Sequence, residues 1–439
     1  PRAEANANAN GETMNAQDFS HHTNGVAAVP ARGPARGALR RALASALLLG
    51  ASALSHAADP AVLSIPVVTP LSGATSVIGQ DTVKSLDIAM RHIAEDGGVL
   101  GRKLELKIVD TQGKPDVMRR ELERLARLEN APLVLGCEVS AATAAAAQFA
   151  EQFKVPYLNS AAAAADILER GYSWYFSDQI TGDDEARAVT SFVEHLVAQR
   201  AGKPVKFAFL FEDSPRGAGT IDASRKLLKD KGLVPVIEVS YNRAERNLLP
   251  QVKKVEQAAP DIVVWAGYTE DVVAGLKAMQ QIAFTPYVVG IGGGPGDPRI
   301  PTLVDPAFVQ KLRLSTVDYF NPDLARAKRF TDAYQKQYGM VPSSYASMCY
   351  RGAYTVRAAL ESALNAKAGN LDRESIRQAL RSLKIPGEAT IAPFRSIEFD
   401  AHGRNIGAQS LIAQWHDGAT KKVTVWPKDV ATRAPLPLQ

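Results

Sequence analysis

Cysteine is scarce in this sequence. The 439 residues include two cysteines, Cys137 and Cys349, which lie far apart and form no C-x-x-C motif. This scarcity excludes a disulfide-dense scaffold and a cysteine-based zinc site. Nothing in the spacing shows that the two residues meet, so we expect two buried small hydrophobic side chains, although an oxidising compartment would permit a disulfide.

Motifs for metal binding and catalysis are absent as well. The seven histidines show no metal-ligand spacing, and Walker A, G-x-S-x-G and H-E-x-x-H patterns do not occur. The net charge of +5 is mild, and no run of Lys and Arg with interleaved aromatic residues indicates a nucleic-acid groove. We therefore expect no metal, no cofactor, no enzymatic activity and no nucleic-acid partner.

Long hydrophobic runs are limited to one, residues 42–54, which is shorter than the roughly 20 apolar residues that a membrane-spanning helix needs. Arg40 and Arg41 precede it, and Ser55 and Ala57 supply the small residues of a cleavage site. We expect residues 1–57 to be an N-terminal extension and signal peptide that is removed on export to the periplasm. Because no cysteine follows the signal, a lipid anchor is not expected.

What the sequence does have is an alternation of short β-branched runs with helical periods, which is typical of an α/β fold with parallel sheets. It occurs in two series, which predicts two sheets. The predicted strands of the first series are 63–68, 104–110, 133–136 and 157–159, and those of the second are 206–211, 234–239, 262–266 and 287–290.

Polar residues follow several of these strands, at the edge where α/β sheets bind ligands. Ser140 and Thr143 begin an Ala-rich helix, where they are either cap residues or part of an anion pocket. Arg216 and Tyr268 follow two strands of the second series. Asp178 is a further candidate, for which a turn or cap role is the alternative.

A glycine-rich segment, residues 290–296, follows the last predicted strand of the second series. It departs from the G-x-G-x-x-G spacing of nucleotide-binding loops at Pro295. We therefore interpret it as a loop that lets the backbone come close to a ligand or to the other domain.

Taken in order, short motifs along the chain resemble the periplasmic solute-binding proteins of ABC importers, of the leucine/isoleucine/valine (branched-chain amino acid) type. The motifs are 70–73 with Gly79, 96–104, 110–112, Gly136 with Ser140 and Thr143, 155–157, 170–172 and 399–403. The resemblance implies a type I periplasmic-binding-protein fold of two Rossmann-like lobes joined by three crossovers. It places lobe 1 at 58–177 plus 321–400, lobe 2 at 178–320 plus 401–425, and a tail at 426–439.

The same resemblance implies ligand-binding positions. Ser140 and Thr143 match residues that hold the ligand carboxylate in amino-acid binders, Ser76 lies in the loop that contacts the ligand from lobe 1, and Tyr268 matches a ligand-facing aromatic residue of lobe 2. Other candidate positions depart from the family pattern: Ala161 and Ala162, Arg216, and Gly292.

These departures bear on the ligand. Alanines replace a hydroxyl residue, Arg216 replaces a tyrosine, and Gly292 stands where amino-acid binders have the acid that pairs with the ammonium group. An unpaired buried ammonium is costly, so we expect an aromatic or aliphatic carboxylate rather than an α-amino acid. Hinge closure would trap this ligand, and the implied partner of the monomer is an ABC permease.

Other functions stay open at this stage. A ligand-sensing receptor for a sensor kinase would keep the same fold and ligand, and a branched-chain amino acid binder would keep the fold with a different ligand. An exported α/β hydrolase is disfavoured because its nucleophile motif is missing.

Overall fold

Two mainly parallel β-sheets with helices on their faces make up the described chain. The computed structural model describes residues 62–200, 202–245, 247–366 and 371–438. The predicted extension and signal peptide at residues 1–57 lie outside the described residues. All described residues belong to one unit of the chain, Asp59–Gln439.

Lobe 1 is built on the first sheet. Its strands and helices are β1 (Leu63–Thr69), α1 (Ser76–Glu95), β2 (Leu104–Asp110), α2 (Pro115–Arg127), β3 (Val134–Gly136), α3 (Ser140–Phe153), β4 (Tyr157–Asn159), α4 (Asp166–Glu169) and β5 (Tyr175–Ser177). The strands are all parallel, in the order β2-β1-β3-β4-β5. Because the chain adds strands on both sides of β1, the switch point at which a ligand crevice forms lies between the carboxyl ends of β1 and β3.

The chain then enters lobe 2. The elements here are α5 (Gly182–Ala198), β6 (Phe207–Glu212), α6 (Pro215–Asp230), β7 (Ile237–Tyr241), α7 (Leu249–Gln257), β8 (Ile262–Ala266), α8 (Thr269–Gln281), β9 (Tyr287–Ile291), α9 (Ile300–Leu303), α10 (Pro306–Lys311) and β10 (Ser315–Asp318). Central strands such as β8 and β9 are buried along their whole length, as strands covered by helices on both faces must be.

The chain then returns to lobe 1 and finally to lobe 2, which completes the fold. Lobe 1 gains α11 (Lys328–Tyr338), α12 (Ser344–Ala366), α13 (Arg373–Arg381) and a hairpin of β11 (Lys384–Pro386) and β12 (Ser396–Glu398), and lobe 2 gains β13 (Leu411–His416) and β14 (Lys421–Trp426). The second sheet has the order β14-β13-β10-β9-β8-β6-β7, with β13 and β14 antiparallel. Its switch point lies between β6 and β8.

Three crossovers join the lobes, and two of them run side by side. Ser177, at the end of β5, donates its backbone N–H to the Gly403 carbonyl (2.8 Å) and accepts from the Asn405 N–H (3.1 Å). The second crossover follows β10, where Asp318 accepts from the hydroxyl of Ser344 on lobe 1 (2.7 Å). The predicted α/β fold of two lobes with parallel sheets and three crossovers is thus confirmed.

Local differences from the sequence prediction have simple causes. The structure adds β5, β10 and β14, which are short or lie at sheet edges, and it adds the long helix α5. That helix begins with a capping box in which the Thr181 hydroxyl accepts from the Asp184 N–H, and the Asp184 carboxylate accepts from the Thr181 N–H. Trp426, the first residue of the predicted tail at 426–439, is the last residue of β14.

The expectation that the two cysteines stay unpaired is wrong. Cys137, directly after β3, forms a disulfide with Cys349 on α12, with the two Cα atoms 5.9 Å apart. The bond ties the sheet of lobe 1 to the helix that covers it. Sequence spacing could not show this pairing, because 212 residues separate the partners and only the folded lobe brings them together.

Candidate functional site

A narrow cavity lies between the lobes, where the carboxyl ends of the two sheets face each other. The space between its walls is about 380 Å³, a figure that includes open solvent at its mouth. Six of the residues predicted from the sequence line it: Ser140, Ala161 and Ala162 from lobe 1, and Arg216, Tyr268 and Gly292 from lobe 2. The two switch points therefore lie on opposite walls of one cavity.

Arg216 is the only buried cation in the lining of this cavity among the described residues. It lies at the start of α6, directly after Pro215 at the first helical position, and is 7% exposed. Its Nη2 donates to both carboxylate oxygens of Glu185, at 2.7 and 2.8 Å. Its Nη1 is buried and has no hydrogen-bond partner among the described residues. One guanidinium nitrogen, Nη2, is thus paired inside lobe 2, whereas the other, Nη1, has unused donors.

Gly292 makes room for this arginine. Its φ of +95° lies in the region that favours glycine, and a Cβ at this position would lie 3.0 Å from Nη2 of Arg216. A side chain at residue 292 would therefore require the guanidinium to shift by a few tenths of an ångström.

The N-terminus of α3 forms the facing wall. The N-cap residue Val139 supplies no side-chain hydrogen bond, so the first N–H groups of this 14-residue helix are not capped by a side chain. The Ser140 hydroxyl accepts from the Ala164 N–H (3.3 Å) and lies in the cavity wall. Uncovered N–H groups at the positive end of a helix favour an anion.

Glu138 also lines the cavity, and sequence analysis missed it. Its side chain is almost fully buried and accepts hydrogen bonds from the Val139 N–H (2.7 Å) and the Thr111 hydroxyl. Burial raises the pKa of Glu138 to about 7. Its position shortly after β3, like that of Ser140, is the sequence signal that could have identified Glu138.

Aromatic and apolar side chains complete the walls. Tyr319 follows β10, while Tyr345 and Met348 come from α12, more than 180 residues after β3 in the sequence. The Tyr319 hydroxyl donates to Glu185 (2.6 Å), which ties this wall to the arginine. The lining residues that the sequence did not predict are Ile78, Glu138, Val139, Ala163, Gly267, Gly293, Tyr319, Tyr345 and Met348.

The other three predicted residues lie outside the cavity lining. Ser76 begins α1, and Thr143 lies one turn inside α3, where its hydroxyl is buried without a partner among the described residues. Asp178 has a clear structural role: it pairs with the buried Arg351 of α12 (3.0 Å) and accepts from the Thr355 hydroxyl (2.8 Å). This ion pair fixes the first crossover to lobe 1.

An ion pair spans the lobes beside the cavity. Arg299, in the loop after β9, donates to Asp81 of α1 at 3.2 Å and also pairs with Asp297 of its own lobe. Asp81 is nearly fully buried, which raises its pKa to about 6, although Arg299 opposes the shift. The Arg299–Asp81 ion pair therefore holds the lobes together, in addition to the packing around the cavity.

The described residues contain no cluster of His, Cys, Asp or Glu with the arrangement of a metal site. Within the same part of the chain, no helix combines the length and the hydrophobicity needed to span a bilayer.

Comparison with known proteins places these features in a wider group. A family model described as "Periplasmic binding protein" matches residues 62–420. The chain is 29% identical over 398 residues to the Leu/Ile/Val-binding protein homolog 7 of Brucella abortus (strain 2308), a match that covers 88% of this chain and 97% of the relative.

Solved structures show the same fold. A leucine-binding protein of Thermotoga maritima MSB8 matches with a TM-score of 0.70 and 21% identity, covering 82% of this chain and 97% of that one. A solute-binding protein of an ABC transporter from Rhodopseudomonas palustris BisB5, in complex with 3,4-dihydroxybenzoic acid, matches with a TM-score of 0.70 and 21% identity, covering 81% and 93%.

Proposed function

The chain belongs to the periplasmic binding protein family, whose members bind ligands and are not enzymes, and from this premise we propose that it is the periplasmic substrate-binding subunit of an ABC importer. Its ligand is a small organic anion with an aromatic or aliphatic body. The ligand binds between the lobes as a carboxylate and is passed to a permease in the inner membrane. The protein acts as a monomer.

The observation that carries this proposal is the unpaired Nη1 of Arg216. A buried donor without an acceptor is costly, at about 1–3 kcal/mol and more when the group is charged. A ligand carboxylate in the cavity would satisfy it with a charge-assisted hydrogen bond. The N-terminus of α3 on the facing wall favours the same charge, and the aromatic side chains of Tyr268 and Tyr345 suit an apolar body.

The connections between the lobes suit a hinge. Crossovers one and three are hydrogen-bonded to each other through Ser177, so they can bend together. Closure about them would bring Arg216 and Ser140 onto one ligand from opposite sides and exclude water from both. The solved relative in complex with 3,4-dihydroxybenzoic acid supports a small carboxylate as the ligand.

A thermal-shift screen of organic acids and amino acids tests the proposal, because a ligand that binds the native state raises the apparent stability. We expect aromatic or aliphatic carboxylates to stabilise the protein, and Arg216→Gln to abolish the shift. Arg225→Gln is the matched control, since Arg225 lies on the same helix with its ion pairs at the surface. Unchanged shifts in Arg216→Gln would reject the role of the arginine.

A branched-chain amino acid is the second candidate ligand. The curated relative carries a Leu/Ile/Val-binding name, and Glu138 supplies a carboxylate in the cavity that could pair with an ammonium group. Stabilisation by leucine or valine, with none by organic acids, would select this candidate over the first.

A further inference from the structure

A second cavity lies within lobe 1, between α11, α12 and the hairpin of β11 and β12, and we call it the lobe 1 cavity. The space between its walls is about 930 Å³, a figure that includes open solvent at its mouth. It shares no lining residue with the cavity between the lobes. A ligand bound here would therefore occupy a separate site, whose walls do not depend on closure of the lobes.

Arg326 brings a cation into the lobe 1 cavity without a carboxylate partner. It lies half-buried just before α11, and its Nη2 donates to the Ala392 carbonyl at 2.8 Å. This is the only hydrogen bond of the guanidinium among the described residues, and its Nε is buried without a partner. Burial lowers the pKa of Arg326, and the exposed Glu388 opposes this shift but forms no ion pair with it in the described chain. The charge of Arg326 is thus partly desolvated and lacks a matching anion.

Two further arginines of the cavity are paired with acids. Arg329 donates to Asp96 at 2.8 Å, and Arg357 donates to Glu361 at 2.9 Å. The negative charges of Asp96 and Glu361 are therefore compensated inside the wall. They oppose an incoming anion less than free carboxylates would.

Arg351 supplies a second unused donor. Its side chain is 1% exposed, and its Nη2 donates to the Ser160 carbonyl and to Asp178, both at 3.0 Å. Its Nε is buried without a partner among the described residues. A buried donor that lacks an acceptor is costly, and Arg326 has the same defect in the same cavity. Two guanidinium groups with unused donors thus line one cavity, which favours an anionic occupant.

The rest of the lining is mainly apolar. Its aromatic and branched side chains are Phe330, Tyr350, Tyr354, Ile385, Ile391 and Ile397. The ring centroids of Phe330 and Tyr350 lie 4.2 Å apart, so the two rings form one aromatic surface. An apolar wall with a few polar groups is typical of small-molecule sites, and this wall suits a flat body.

We propose that the lobe 1 cavity binds a small organic anion, an aromatic carboxylate, as a second ligand of the protein. The carboxylate accepts hydrogen bonds from Arg326, and the ring packs against the aromatic surface of Phe330 and Tyr350. This site goes beyond the proposed function, because it uses none of the residues that line the cavity between the lobes. Its occupant is bound whether or not the lobes close.

Iodine-labelled benzoate tests the inference in the full chain. Crystals soaked with 4-iodobenzoate locate each bound molecule by the anomalous scattering of iodine, and we expect one molecule in the lobe 1 cavity. Calorimetric titration at pH 7 measures the affinity of this site in solution. The titrations use the double variant Arg216→Gln with Glu185→Gln as the parent, because its cavity between the lobes has lost the cation.

Arg326→Gln in this parent should weaken the binding of 4-iodobenzoate at least about tenfold, as the loss of a hydrogen bond to a charged group does. Arg326→Lys keeps the charge but loses the planar fork, so it guards against loss of folding and should give an intermediate affinity. The matched control is Arg119→Gln, an exposed arginine on α2 of the same lobe, which should keep the affinity of the parent.

Each outcome separates this site from the proposed function. Iodine only between the lobes, equal affinities in Arg326→Gln and its parent, or binding in crystals but not in solution would overturn the lobe 1 site and leave the proposed function intact. Iodine in the lobe 1 cavity alone would support this inference and reject an aromatic carboxylate as the transported ligand. Iodine at neither place, with no heat of binding, would reject both.

Discussion

Replacing Arg216 with glutamine removes the cation that pairs with Glu185. The Glu185 side chain is fully buried, and Arg216 Nη2 donates to both of its oxygens. After the substitution, the donors left to this carboxylate among the described residues are the Tyr319 hydroxyl and, in a long contact, the Thr220 hydroxyl. Burial already raises the pKa of Glu185, and the loss of the arginine raises it further.

The expected cost follows from the burial of the pair. Removal of one partner of a buried ion pair typically costs 3–5 kcal/mol, because the other charge is left without compensation. We expect Arg216→Gln to lower the free energy of unfolding by about 3 kcal/mol. The double variant Arg216→Gln with Glu185→Gln buries no unpaired charge, so it should recover about 2 kcal/mol of this loss.

Urea denaturation of the ligand-free protein at pH 7, monitored by circular dichroism, measures the loss in Arg216→Gln and the recovery in the double variant. Arg225→Gln again serves as the control and should cost less than about 1 kcal/mol, as surface ion pairs do. A loss below about 1 kcal/mol in Arg216→Gln, or no recovery in the double variant, would refute the buried pair as described. The double variant also supplies a stable protein in which the loss of ligand binding can be measured by itself.

Three further predictions concern other contacts. Burial raises the pKa of Glu138 from 4.5 to about 7, so ionisation of this group destabilises the folded state as the pH rises through this window. In urea denaturation, Glu138→Gln should therefore be about 3 kcal/mol more stable than wild type at pH 8 and equal to it near pH 4. Reduction of the Cys137–Cys349 disulfide should lower the free energy of unfolding by up to about 5 kcal/mol, measured in urea with and without dithiothreitol, because it opens a loop of 212 residues. Asp81→Asn removes the interlobe pair with Arg299 and should weaken ligand binding by about fivefold in calorimetry; an unchanged affinity would show that this pair does not favour closure.

Most of the fold could be predicted because its signals are local. The β-branched runs that became β1, β2 and β8 are separated by helical periods, and that alternation is visible without any contact information. The strands β5 and β14 lie at sheet edges, and β5 and β10 have three and four residues, so neither carries a clear period. Their pairing depends on neighbours supplied by the rest of the sheet.

The candidate site was predictable only where it follows strand ends. Ser140, Arg216 and Tyr268 come directly after strands, and the rule that ligands bind at such ends found them. Tyr345 and Met348 reach the cavity from a helix that joins lobe 1 after the chain has passed through lobe 2. No local sequence pattern indicates that α12 packs on lobe 1. The disulfide between Cys137 and Cys349 of this helix was missed for the same reason.

A crystal structure of the protein with the acid that gives the largest thermal shift tests the central claim most directly. The account predicts that the ligand lies between the lobes, with a carboxylate oxygen within hydrogen-bond distance of Nη1 of Arg216 and close to the N-terminus of α3. A ligand bound elsewhere, or one whose carboxylate faces away from Arg216, would contradict it.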